Sequence, residues 1–139
     1  MLVVLDPNIF VSALITPTGL ARSVVQAGIE GRFEYAVCPT LLAELEGVAL
    51  RPKIADLVAA DAAGRFVTDV RGGARVEPDP QVQPISRDPN DDYLIALSVA
   101  VGAELLVTGD ADLLDLTDPP VRIIGLRAFA DLLGNGTAD

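Results

Sequence analysis

The residues of this chain best suited to chemistry are carboxylates placed where apolar runs stop. Leu2-Val3-Val4-Leu5 ends at Asp6, and Pro7 and Asn8 follow at once. Leu105-Leu106-Val107 gives way to Thr108, Gly109 and then Asp110. Glu44 lies in "TLLAEL", and Asp88, Asp91 and Asp92 crowd the segment "RDPNDD". The chain has no His, which removes His-based triads, imidazole zinc sites and His general bases. Its one thiol, Cys38, sits among strand-like neighbours and reads as buried and inert. Acids gathered at one place repel one another and favour a hard divalent cation between them. An all-oxygen donor set without His or a usable Cys selects Mg²⁺ or Mn²⁺ over zinc.

The elements around these acids explain why they would meet. The spacing predicts strands at 2–5, 35–38, 74–76, 105–107 and 121–124. Helices are expected over 9–15 and 19–30, separated by Thr16-Pro17-Thr18-Gly19. A helix capped by Thr40 should carry Leu41, Leu42, Leu45, Val48 and Ala49 inward and stop before Pro52. Residues 53–71 read as mostly helical, with Ile54, Leu57, Val58, Phe66 and Val70 as core, and 78–84 as a Pro-rich surface loop. Asp88 with Pro89 opens a helix to about Val101, 111–114 forms a helical turn, and 126–133 a last helix. Fully apolar strands alternating with helices imply an α/β domain with a mostly parallel sheet of four to five strands, covered on both faces. Ligands bind such sheets beyond the carboxyl ends of the strands, where Asp6 and Asp110 stand. A single domain over residues 1–133 is expected, with 134–139 as a flexible tail.

Each acid has a plainer reading. Taken singly, Asp6 serves equally well as a helix cap, and Asp88 reads better as a cap than as a ligand. Asp91 and Asp92 would complement a helix dipole, Glu46 falls off the Glu44 face, and Asp112 and Asp115 look like turn acids. Independent caps, however, have no reason to gather at one edge of a sheet. The net charge of −10 opposes a polyanionic partner, unless the acids converge on cations that make the site locally positive. No run approaches the roughly 18 apolar residues of a membrane span, and Asp6 and the absence of a basic start argue against a signal peptide. With a single Cys, a reducing cytoplasm is the expected location.

The segments "VVLDPN" with Ser12 downstream, "TLLAEL" and "DPNDDYLIALSVAVGAELLVTGDADLL" together resemble the PIN domain family, and more narrowly the VapC-like toxins of bacterial toxin–antitoxin pairs. The resemblance spans nearly the whole chain, and the last segment is its most specific part. It implies a three-layer α/β/α fold and a Mg²⁺- or Mn²⁺-dependent nuclease acting on single-stranded RNA. By position, Asp6 matches the family's first acid, Glu44 the helix acid and Asp110 the fourth acid. Asp92 stands 16 residues before Thr108 and 18 before Asp110, which suits the third acid; Asp91 is the alternative. Asn8, Ser12 and Thr108 match supporting polar positions. Pro7 departs from the pattern, replacing a hydroxyl residue. The resemblance also implies a homodimer and a small antitoxin that covers the site.

Ten basic residues, all but Lys53 being Arg, suit bidentate phosphate contact, with Arg22, Arg51 and Arg87 as candidates. Three rivals stand beside the nuclease. A haloacid dehalogenase-type phosphatase needs a second Asp where this chain has Asn8. A phosphoryl-accepting receiver needs a late Lys, and Lys53 is mid-chain. The third is a PIN-like module that binds RNA or protein without cutting.

Overall fold

The computed structural model describes residues 1–81 and 89–136, with the backbone alone for residues 60, 89–92, 135 and 136. Five strands form one sheet: β1 (Leu2–Leu5), β2 (Glu34–Val37), β3 (Arg75–Val76), β4 (Leu105–Val107) and β5 (Arg122–Ile124). Their spatial order is β3-β2-β1-β4-β5, and every neighbouring pair is parallel. From β1 the chain first winds outward through β2 to β3. It then crosses back to β4 and winds the other way to β5. The strand order therefore reverses between β1 and β4, the position where such sheets open a crevice at their carboxyl ends.

β1 is central and apolar at every position, and its four residues are buried. It pairs with β4 through Val3–Leu105, Val4–Leu106 and Leu5–Val107, and the ladder continues as the Asp6 N–H donates to the Val107 carbonyl at 2.9 Å. Helices cover both faces. On one side α1 (Pro7–Ile15), α2 (Leu20–Ile29), α3 (Pro39–Ala49) and α5 (Ala60–Gly73) pack against one another, with the short α4 (Pro52–Ala55) beside α3. The long α6 (Pro89–Val101) lies on β1 and β4, and α7 (Ala111–Leu114) follows β4. The closing α8 (Leu126–Gly136) returns to α2, where Phe129 meets Phe33 edge-on at 5.0 Å.

Several local expectations change. The helix after β2 begins at Pro39, with Cys38 rather than Thr40 at the cap position and no side-chain cap. The exposed Thr40 N–H instead donates to Asp79 Oδ1 of a distant loop at 2.9 Å, so that a non-local acid does the work of a cap. Leu57 is 64% exposed, not core, because the helical stretch breaks between α4 and α5 and the chain turns outward there. The last helix runs to Gly136 instead of stopping at Leu133. Cys38 is buried, and burial pushes its thiol up to about 11, as an inert cysteine requires. The expected cap Asp88 and Arg87 lie outside the described residues.

Two glycines within helices separate packing from propensity. A Cβ on Gly28 would stand 2.9 Å from both Phe33 Cζ and Tyr35 Cδ1, rings held in the core, whereas one on Gly64 meets open space. Gly28→Ala should therefore lose about 1–3 kcal/mol of stability. Gly64→Ala should gain about 0.5–1 kcal/mol, both read by urea unfolding.

Candidate active site

Asp6 leaves β1 and caps α1, its Oδ1 accepting the Asn8 N–H at 2.9 Å. The cap reading and the site reading thus describe one geometry, with Pro7, whose missing N–H costs nothing there, at the first helical position. Asp6 is only 4% exposed. Its Oδ2 accepts the hydroxyl of Thr108 at 2.7 Å, from the neighbouring strand end. Thr108, fully buried, also accepts the Asp110 N–H on the same oxygen at 3.0 Å. One hydroxyl therefore joins Asp6 to the turn that carries Asp110. Asp110 in turn caps α7, with Oδ1 accepting the Asp112 N–H at 2.9 Å.

The two acids line an open cleft of about 600 Å³ beyond β1 and β4. Across it α3 presents Glu44, with Gly47, Val48 and Arg51 following the helix and its exit. α6 contributes Tyr93 and Leu94. The Tyr93 hydroxyl donates to Glu44 Oε2 at 3.1 Å, from a ring only 7% exposed. Partial burial raises the Glu44 carboxyl above the ordinary range, the Tyr93 bond pulls it back, and the nearby Asp6 charge adds to the rise. Burial and the Glu44 carboxylate together hold the Tyr93 phenol far above its usual value, so it stays a donor.

Not every candidate from the sequence reaches this cleft. Asn8 lines it, while Ser12 is exposed on α1 and is not among the lining residues. Arg51 is the one basic residue among the described residues lining the cleft. Arg22 points elsewhere, bonding the Ala13 carbonyl at 3.3 Å and stacking on Phe66. Glu46 faces outward and pairs with Arg71 at 2.8 Å. The backbone sets Asp91 and Asp92 in the first turn of α6, ahead of Tyr93; their side chains lie outside the described set. Tyr93 itself is a site residue that the acid pattern did not point to. Its only signal was its place directly after "NDD".

The donors fit a hard divalent cation in type, all of them oxygens. A buried carboxylate is costly unless compensated, and Asp6 is held only by neutral donors, with no Lys or Arg paired to it among the described residues. A cation in the cleft would supply that missing charge. Among the described residues, no group of three His, Cys, Asp or Glu is close enough to hold one unaided. The acids of α6 would have to complete the set.

The PIN domain family matches residues 2–112, most of the chain. The chain belongs to the PIN domain family. Its members are in general nucleases. The chain is 27% identical over 117 residues to the uncharacterized protein MJ1680 of Methanocaldococcus jannaschii, covering 84% of this chain and 75% of that protein. The fold is shared with PAE2754 from Pyrobaculum aerophilum, with a TM-score of 0.68 at 18% identity over 96% of this chain and 89% of that one. It is shared also with VapBC2 from Rickettsia felis bound to a DNA fragment from its promoter, with a TM-score of 0.61 at 14% identity over 90% and 98%.

Two changes test the site's energetics in EDTA. Thr108→Val should lose about 1–3 kcal/mol of unfolding free energy, while Thr108→Ser keeps most of it, because the hydroxyl, which Ser retains, joins the Asp6 carboxylate to the Asp110 turn. A carboxyl whose pKa rises on folding makes the folded state bind more protons, so it costs stability above the unfolded value and nothing below it. Glu44→Gln should accordingly raise the urea midpoint near pH 7, and that gain should vanish near pH 3, below the ordinary Glu value of about 4.3.

Proposed function

We propose that this PIN domain is a metal-dependent endoribonuclease that cuts single-stranded RNA. The observation that carries the reading is the buried Asp6 carboxylate, held among the described residues by neutral donors alone at the β1/β4 switch point, with Asp110 at the adjoining strand end. Asp6, Asp110 and Asp92 would hold one or two Mg²⁺ or Mn²⁺ ions, with Asp91 the alternative to Asp92. Glu44 would bind directly or through water. A bound cation supplies activation of water and neutralisation of charge developing on phosphoryl oxygens.

The chain's own groups do the rest. Thr108 and the Asn8 N–H fix the Asp6 oxygens, so the carboxylate is oriented before any ligand arrives. Arg51, exposed at the cleft mouth, suits a phosphate of the RNA backbone through its planar fork. The cleft is open and lined mainly by polar groups, which suits a flexible single strand better than a closed pocket for a small molecule. Tyr93 is the only aromatic residue among the described lining residues, and its hydroxyl is committed to Glu44. Base stacking would therefore contribute little to sequence preference.

The likeness of fold to VapBC2 supports a role as the toxin of a toxin–antitoxin pair. A small antitoxin covering the cleft, a homodimer and a cytoplasmic location belong to that proposal. No helix among the described residues is long and apolar enough to cross a membrane.

Purified chain with Mn²⁺ should cleave a labelled single-stranded RNA. Asp6→Asn and Asp110→Asn should each cut activity at least about a hundredfold. Asp92→Asn should fall as far while Asp91→Asn retains most activity. Arg51→Ala should raise KM more than it lowers kcat and flatten the dependence of binding on salt. Metal-dependent cleavage undiminished in both Asp6→Asn and Asp110→Asn would refute the carboxylate mechanism. RNA binding without cleavage would favour the non-cutting module.

A further inference from the structure

Tyr93 does something that the strand-end acids do not explain. It sits on α6, is nearly buried, and sends its hydroxyl across the cleft to one named oxygen of Glu44 on α3. A buried phenol left without a partner is unfavourable, which favours keeping this contact. Glu44 Oε2 is thereby engaged, while Oε1 has no hydrogen bond among the described residues. The same holding of individual oxygens runs through the site, with both Asp6 oxygens and Asp110 Oδ1 accepting neutral donors.

We propose that Tyr93 is a positioning residue that keeps Glu44 monodentate and so sets which divalent cation the cleft prefers. The inference rests on the metal-dependent reading above. Mg²⁺ demands near-octahedral geometry at about 2.0–2.1 Å, which single carboxylate oxygens satisfy. Ca²⁺ takes six to eight oxygens at about 2.3–2.6 Å and readily uses both oxygens of a carboxylate. The phenol fixes the rotation of the Glu44 carboxylate through Oε2, so turning both oxygens toward a larger ion would strain or lose that bond. Removing the hydroxyl frees the carboxylate to rotate, which relaxes the constraint against Ca²⁺ and loosens the site for Mn²⁺ or Mg²⁺.

The test is direct cation binding to the full chain, with no catalysis involved. Mn²⁺ affinity is measured by electron paramagnetic resonance, and Ca²⁺ affinity by its competition with Mn²⁺, in wild type and Tyr93→Phe. Tyr93→Phe should weaken Mn²⁺ about tenfold while leaving Ca²⁺ unchanged or tighter, so the Mn²⁺/Ca²⁺ preference falls by about that factor. A preference equal to wild type, whether both affinities drop together or neither moves, would overturn the proposal, since a purely structural ring affects both ions alike. Wild-type Mn²⁺ binding that survives Asp6→Asn would instead overturn the parent reading, so the two failures are distinguishable. A second readout keeps Tyr93 intact. The chain has two Tyr and no Trp. Saturating Mg²⁺ should give a tyrosine difference spectrum that persists in Tyr35→Phe, and an unmoved spectrum at saturation would overturn the proposal even if Tyr93→Phe does not fold.

Discussion

The hydroxyl of Thr108 stands between two neighbouring parallel strands at the point where the sheet reverses its winding, and it touches both halves of the candidate site. It donates to Asp6 and accepts from the Asp110 backbone. The β1–β4 ladder brings Leu5 and Val107 into register, and one residue further the ladder bond from Asp6 to Val107 aligns the exits of both strands. A shift in that register would separate the hydroxyl from the carboxylate and pull the apolar β1 out of the core. Fold and site therefore share a constraint. The parallel pairing that buries β1 is what places a charged group, nearly out of water, beside the turn of Asp110.

That placement is unfavourable for the empty protein and useful for a cation-binding one. Among the described residues Asp6 has neutral hydrogen-bond donors in place of a counter-charge, and Glu44 lies close enough for Asp6 to raise its pKa. The surrounding packing sustains this arrangement: α1 and α7 start on the two acids as caps, and α6 lines the cleft with Tyr93 and Leu94. Each carboxylate is thus oriented by the element it initiates or faces. Preorganisation of this kind is what turns a set of repelling acids into a ligand set. With a cation bound it would also reconcile the chain's acidity with the RNA substrate proposed above, because the charge meeting phosphate would then be the local one, with Arg51 beside it.

The sheet and the strand-end acids were legible in the sequence because both depend on short-range signals. Leu2-Val3-Val4-Leu5, short and bounded by Asp6-Pro7, reads as a doubly buried strand, and an acid directly after it lies at the strand's carboxyl end. Thr40 misled because the cap of α3 is supplied by Asp79, 39 residues away, which no local pattern encodes. Leu57 misled because a break between two helices leaves it 64% exposed despite its apolar type. Tyr93 was invisible for the opposite reason. In a helix run of Leu, Ile and Ala it reads as core, and its ring is core; only the three-dimensional meeting of α6 with α3 reveals the hydroxyl's partner. Arg51 and Arg22 were indistinguishable by type, and the fold sends one to the cleft and the other onto Phe66.

The central claim is that a divalent cation completes the cleft beyond β1 and β4. A crystal of the full chain grown with Mn²⁺, with anomalous scattering recorded at the manganese edge, tests it most directly. The account predicts an anomalous peak in the cleft, within coordination distance of carboxylate oxygens from Asp6, Asp110 and the first turn of α6. A well-ordered cleft without a peak at saturating Mn²⁺, or a peak bound only elsewhere on the acidic surface, would contradict it.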